Sequence, residues 1–140
     1  MLYSIIVPVY NRPGEVKELL ESLSAQTVKP FELVIIEDGS KERCDHLLDH
    51  YRSFFAIHYY YKENSGRSDT RNYGMARANG DYMLFFDSDV ILPPFYFEKL
   101  EAAMAADYCD CFGGPDAADD SFSDMQKAVS HAMTSFWTTG

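Results

Sequence analysis

A chain of 140 residues has room for one domain with a real core and little more. Hydrophobic content of 46% and aromatic content of 15% exclude a disordered chain. A formal net charge of −10 excludes the broad basic surface of a nucleic-acid binder, because neutralising phosphates takes clustered Lys and Arg.

Tyr3-Ser4-Ile5-Ile6-Val7-Pro8-Val9 is β-branched and almost wholly apolar, as a strand buried on both faces would be. Pro8 has no N–H for a ladder, so the strand is expected to end close to it. Asn11-Arg12-Pro13-Gly14 reads as a loop. The helix after it aligns Val16, Leu19, Leu20 and Leu23 on one face and stops within residues 26–30. Phe31 to Ile36 reads as a second buried strand, with Glu37-Asp38-Gly39-Ser40 as a polar turn at its carboxyl end. A helix is expected over about 41–52, with Leu47, Leu48 and Tyr51 inward, and a third strand from Ile57 to Tyr61. Ser68 can cap a helix running through Arg71, Met75 and Ala78, which Asn79-Gly80 ends. Tyr82 to Phe86 makes a fourth strand, and Asp87-Ser88-Asp89 follows at once. After Pro93-Pro94 a helix places Phe97, Leu100 and Met104 inward. Tyr108 to Phe112 reads as a fifth strand, 113–120 as a loop, and about 121–136 as a terminal helix.

Strands alternating with helices imply right-handed crossovers and a mostly parallel sheet with helices on both faces. Ligands of such sheets bind beyond the carboxyl ends of the strands. Those ends carry Tyr10-Asn11, Glu37-Asp38-Gly39-Ser40, Glu63-Asn64-Ser65-Gly66 and Asp87-Ser88-Asp89. The polar clusters therefore share one rim. The apolar runs are far shorter than the roughly 20 residues of a membrane span, and no signal peptide precedes the first strand. A cytoplasmic location is expected. Cys44, Cys109 and Cys111 lack the spacing of a disulfide framework or zinc site, so they read as reduced thiols.

Asp87 and Asp89, two residues apart at the mouth of an apolar strand, can both turn toward one ligand. Uncompensated they would repel. A hard cation, Mg²⁺ or Mn²⁺, would resolve that and leave positions open for phosphate oxygens. The plainer reading is two solvated turn aspartates. Asp38 could accept hydrogen bonds from a base or ribose, or merely bond its own turn. Arg71, early in a helix that starts at this rim, could pair with a carboxylate or meet phosphate, the plainer reading being an ordinary surface salt bridge. His46, His50, His58 and His131 share no metal spacing, and Tyr59-Tyr60-Tyr61 reads as packing.

Taken together, four stretches resemble the N-terminal part of family 2 glycosyltransferases, inverting enzymes of the Rossmann-like GT-A fold. They are residues 4–11, residues 33–40, Asn64-Ser65-Gly66 through Gly74, and Gly80-Asp81-Tyr82 through Asp89, in the family's order and covering roughly the first hundred residues. The resemblance implies transfer of a sugar from a nucleotide-diphosphate donor, a UDP-sugar foremost, to a glycan or lipid-linked acceptor. The setting it implies is bacterial polysaccharide biosynthesis, with loose association at the inner face of the membrane fitting as well. Pro8, Val9, Tyr10, Asn11, Asp38, Arg71, Asp87 and Ser88 would bind the nucleotide-sugar. Asp89 would be the principal ligand of a divalent cation, Mn²⁺ or Mg²⁺, with Asp87 beside it. Glu37 replaces the family's commoner Asp.

The family's catalytic base comes from a later segment, and no counterpart is visible before Gly140. The expectation is a single GT-A domain over 1–140 that is truncated at its C-terminus, with a donor-binding half of about 1–115. A fragment that binds the nucleotide-sugar without turning it over is the non-enzymatic alternative. A haloacid-dehalogenase-like phosphatase would use Asp87 as nucleophile and Asp89 as acid/base. Its motif usually has Thr or Val where Ile91 stands, and usually opens the domain.

Overall fold

The computed structural model describes residues 1–113. Residues Met1–Asp107 form one compact unit. The elements run β1 (Tyr3–Val9), α1 (Pro13–Ser24), β2 (Phe31–Asp38), α2 (Asp45–Tyr51), β3 (Ala56–Lys62), α3 (Arg67–Met75), β4 (Tyr82–Phe85) and α4 (Tyr96–Ala106). All four strands are parallel, in the order β3-β2-β1-β4. This is the expected α/β architecture, with β1 and β2 at the centre. Both central strands read as apolar runs because both their faces are covered.

The register puts Tyr3 opposite Phe31 and Ile5 opposite Leu33, so these side chains share one face. Phe97 of α4 packs there, its ring 5.8 Å from Tyr3 and 4.5 Å from Phe31. On the opposite face Ile6, Val34 and Ile36 are fully buried beneath Tyr73 of α3, Tyr60 and Ala78. Helices thus cover both faces. Pro13 opens α1, where a missing N–H costs nothing, and Val16, Leu19, Leu20 and Leu23 form the buried stripe. No described helix is long and apolar enough to cross a membrane.

Several boundaries differ from the sequence expectation, each for a local reason. β2 runs on through Glu37 and Asp38, which pair with Tyr61 and Lys62 of β3. Glu37 is fully buried; its Oε1 accepts the Cys44 N–H at 2.7 Å, while Oε2 meets no donor among the described residues. α2 starts at Asp45 rather than 41, because the Lys41 and Glu42 N–H groups donate to the Asn11 side chain. α3 begins at Arg67 with Gly66 as its N-cap, so Ser68 lies inside the first turn and caps nothing. The helix ends at Met75, and β4 at Phe85. Residues 108–112 carry no strand, despite their β-forming side chains, in keeping with the strong context dependence of β propensity. The expected helix over 121–136 lies outside the described residues.

At the rim opposite the polar clusters, a buried network joins the start of β1 to the start of β4. The Gly80 N–H donates to Ser4 Oγ at 2.8 Å, and a Cβ built on Gly80 would stand 2.7 Å from Ser4 N and 2.8 Å from Leu2 O. Backbone atoms cannot step aside as a flexible side chain can. Gly80→Ala is therefore expected to cost about 2–3 kcal/mol. In contrast, Gly14 in α1 has nothing near its Cβ position, and Gly14→Ala should stabilise by about 0.5 kcal/mol. Parallel urea titrations of the two variants check this, and equal midpoints would contradict it.

Candidate functional site

The carboxyl ends of β1, β2 and β4 and the start of α3 enclose an open cleft of about 300 Å³. Pro8, Val9, Tyr10, Arg12, Asp38, Asn64, Gly66, Arg67, Asp87, Ser88 and Asp89 line it. The sequence singled out Pro8, Val9, Tyr10, Asp38, Asp87, Ser88 and Asp89 for one site, and the fold brings these seven together. Tyr10 is about half exposed and Val9 nearly buried, so the β1 end offers an aromatic face above an apolar floor.

Asp38 is buried, and three protein donors meet its carboxylate. Oδ1 accepts from Lys62 Nζ at 2.5 Å and from the Ser65 N–H at 2.9 Å, while Oδ2 accepts the Gly66 N–H at 3.0 Å. Burial alone would push its pKa up; these hydrogen bonds, led by that of Lys62, outweigh burial and hold it below the ordinary aspartate value. The Thr70 side chain contributes to holding the same carboxylate.

Asp87 faces two arginines of α3. Arg71 Nη2 donates to its Oδ1 at 2.9 Å, and Arg67 Nη1 stands 3.8 Å from Oδ2. Arg71 itself lines a neighbouring groove with Ser68, Asn72, Met75 and Phe85 rather than the cleft. It reaches the site through Asp87. Ser88 is buried and donates to Glu15 Oε2 at 3.1 Å. Glu15 also takes a two-pronged contact from Arg12, at 2.8 and 2.9 Å, which ties the loop after β1 to the turn after β4. Glu15, with smaller contributions from Asp89 and Asp87, favours the charged Arg12 guanidinium. Asp89 is exposed at the cleft mouth.

Asn11 does not line the cleft. Its φ of 54° is one that Asn tolerates better than most residues. Its N–H donates to Ser40 Oγ and its Oδ1 accepts from Lys41 and Glu42, so it staples two loops together. Arg12, Asn64, Gly66 and Arg67 line the cleft without having been assigned to it. The signal for Arg67 is weak because Ser68, the expected cap, lies two residues past the actual N-cap, Gly66.

Among the described residues no group of three or more His, Cys, Asp or Glu stands ready to hold a metal by itself. Two carboxylates on one turn suit a different kind of site. Mg²⁺ and similar ions are commonly held by one or two carboxylates, with phosphate oxygens and water completing the shell. Asp87 and Asp89 fit that pattern.

Comparison with known proteins agrees with this geometry. The description Glycosyl transferase family 2 matches residues 4–137. An uncharacterised glycosyltransferase of Rickettsia felis is 41% identical over 101 residues, 72% of this chain and 16% of that protein. One from Haemophilus influenzae is 41% identical over 99 residues, 71% of this chain and 33% of that protein. The chain thus spans a third or less of these relatives' length. Among solved structures, S. aureus TarS 1–349 in complex with UDP-GlcNAc superposes with a TM-score of 0.72 at 27% identity. That likeness covers 84% of this chain and 38% of the other. With the family match running across nearly its whole length, the chain belongs to glycosyl transferase family 2.

Proposed function

We propose that the cleft binds a nucleotide-diphosphate sugar, with UDP-sugars favoured, and that the protein transfers the sugar to an acceptor hydroxyl with inversion. One observation carries the reading: Pro8-Val9-Tyr10, Asp38 and Asp87-Ser88-Asp89 line a single cleft at the carboxyl rim of the sheet. Family membership and the structural likeness to TarS bound to UDP and to UDP-GlcNAc support it.

In this reading Tyr10 and the β1 end lie against the base, and the Asp38 carboxylate accepts a base or ribose hydrogen bond. Asp89 and Asp87 hold a divalent cation, Mn²⁺ or Mg²⁺, which would offset the diphosphate charge as that group leaves. Arg67 and Arg12 border the same space and add positive charge. The acceptor oxygen bonds to the anomeric carbon as the bond from that carbon to the diphosphate oxygen breaks. Its proton needs a base. Asp38 is committed to Lys62 and the 65–66 loop, and Asp87 and Asp89 to the cation, so the base comes from outside this cleft. A glycan or lipid-linked acceptor suits the reaction.

Calorimetric titration with UDP, GDP and TDP, each with and without Mn²⁺, tests the donor site. UDP is expected to bind most tightly, and only with the metal at full strength. Asp89→Ala should abolish the metal-dependent part. Equal, metal-independent affinity in that variant would refute the reading.

A further inference from the structure

Lys62, the last residue of β3, sets the position of one wall of the cleft. Its side chain is only 12% exposed. Nζ donates to Asp38 Oδ1 at 2.5 Å, to the Glu63 carbonyl at 3.1 Å and to the Ser65 hydroxyl, with Asp69 Oδ2 3.5 Å away. Ser65 Oγ in turn donates to Asp69. Asn64 Nδ2 adds a hydrogen bond to the Asp38 carbonyl at 2.8 Å. One ammonium thereby ties the end of β2, the end of β3 and the first turn of α3 together. The segment it secures contains Asn64, Gly66 and Arg67, all of which line the cleft, whereas Lys62 does not. Gly66 makes its corner at φ 93°, a conformation that L side chains rarely adopt, so the turn into α3 is set by the backbone and by these bonds.

A lysine this buried beside a buried aspartate is a costly arrangement, and apolar replacement of such pairs is often neutral for stability. Stability alone is thus a poor account of it. We propose that Lys62 is a positioning residue for nucleotide binding. It touches no ligand; it holds the Asp38 carboxylate and the corner at residues 64–67 where the base and diphosphate are met. The inference rests on the donor-site reading above, and deepens it.

Titrations of the chain with uridine and with UDP test the role. Lys62→Met should weaken both ligands by about tenfold, roughly 1.4 kcal/mol, because the misplaced wall serves base and diphosphate together. Lys62→Arg should recover part of the loss by restoring the charge to Asp38. In the double variant Lys62→Met/Asp38→Asn the loss should be no greater than in the worse single variant, since residues acting as one unit are non-additive. Loss of UDP binding alone, with uridine unaffected, would make Lys62 a direct phosphate partner and overturn the proposal. So would unchanged binding of both. Should Lys62→Met fail to fold, Ser65→Ala breaks the exposed link to Asp69, and a loss of about threefold for both ligands is expected. Unchanged affinity there counts against Lys62 as well. A wild-type chain that binds neither ligand defeats the donor-site reading itself, whereas a wild type that binds beside an indifferent Lys62→Met defeats only this step.

Discussion

Replacing Glu32 with alanine is expected to lower the melting temperature by about 10–15 °C, on the order of 3–5 kcal/mol. Glu32 sits 4% exposed at the amino-terminal rim of the sheet. Its Oε1 accepts from Ser4 Oγ at 2.6 Å and from the Asn79 N–H at 2.6 Å. Its Oε2 accepts from Asn79 Nδ2 at 3.0 Å and meets His58 Nε2 at 3.1 Å. Alanine would take the acceptor from the fully buried Ser4 hydroxyl and cut the link to Asn79, and β4 enters the sheet through Asn79 and Gly80. Differential scanning calorimetry measures the loss. A melting point within about 3 °C of wild type would show that the network does not hold the β4 entry.

Glu32 also dictates a response to acid. Burial pushes its carboxyl up, but hydrogen bonds from Ser4 and Asn79, with His58 nearby, outweigh that and lower its pKa on folding. The folded chain therefore binds fewer protons than the unfolded one between the two values. Its stabilising contribution is complete above the unfolded value of about 4.3 and is lost as pH falls through the folded value. Glu32→Gln should flatten the stability curve in that window. Some slope remains, because Asp38 is lowered as well.

Strand positions were legible because β1 and β2 are buried on both faces and leave a long apolar record in the chain. α1 was legible through its four-residue stripe. Element ends were not, because partners distant in sequence set them. Nothing near Glu37 announces that the Cys44 N–H will meet its side chain inside the sheet, nor that Asn11 will claim the backbone at 41–42 and delay α2. The same limit applied at the site. Asp87, Asp89 and Asp38 were found because polar residues directly after apolar strands must gather on one rim. Arg67 and Lys62 escape a reading of the sequence because they pair with Asp87 and Asp38 on other elements, which spacing along the chain does not reveal, whereas Arg12 pairs with Glu15 only three residues on. Asn11 was placed with the ligand contacts because it adjoins Tyr10, yet its side chain is turned to the next loop.

Asp87→Asn is expected to weaken UDP binding about 100-fold in the presence of Mn²⁺, the scale on which disturbing a metal's support is felt. With metal removed by EDTA, the same variant should bind UDP more tightly than wild type, by about threefold or more. The opposite signs follow from the two demands on this carboxylate. In the structure Asp87 engages Arg71 at 2.9 Å and Arg67 at 3.8 Å, so it offsets the charge of Arg67, which lines the cleft, and of Arg71 behind it. A cation on Asp87 competes with that pairing and leaves the arginines freer to face the donor. Asparagine keeps the shape and an acceptor for Arg71, removes the repulsion toward phosphate and gives up a charged metal ligand. Among the described residues no arginine forms an ion pair with Asp89, so Asp89→Asn should lose the metal effect with a smaller gain in EDTA. Titrations of the three proteins under both conditions separate the roles. If Asp87→Asn keeps full metal dependence, Asp87 is an anchor for Arg71 and not a metal ligand. If it binds more weakly in EDTA, its carboxylate holds the nucleotide directly. In the proposed reading, a crossing of the two curves requires that one side chain alternate between arginine and metal, and it would make Asp87 the point where cation binding and diphosphate recognition are coupled.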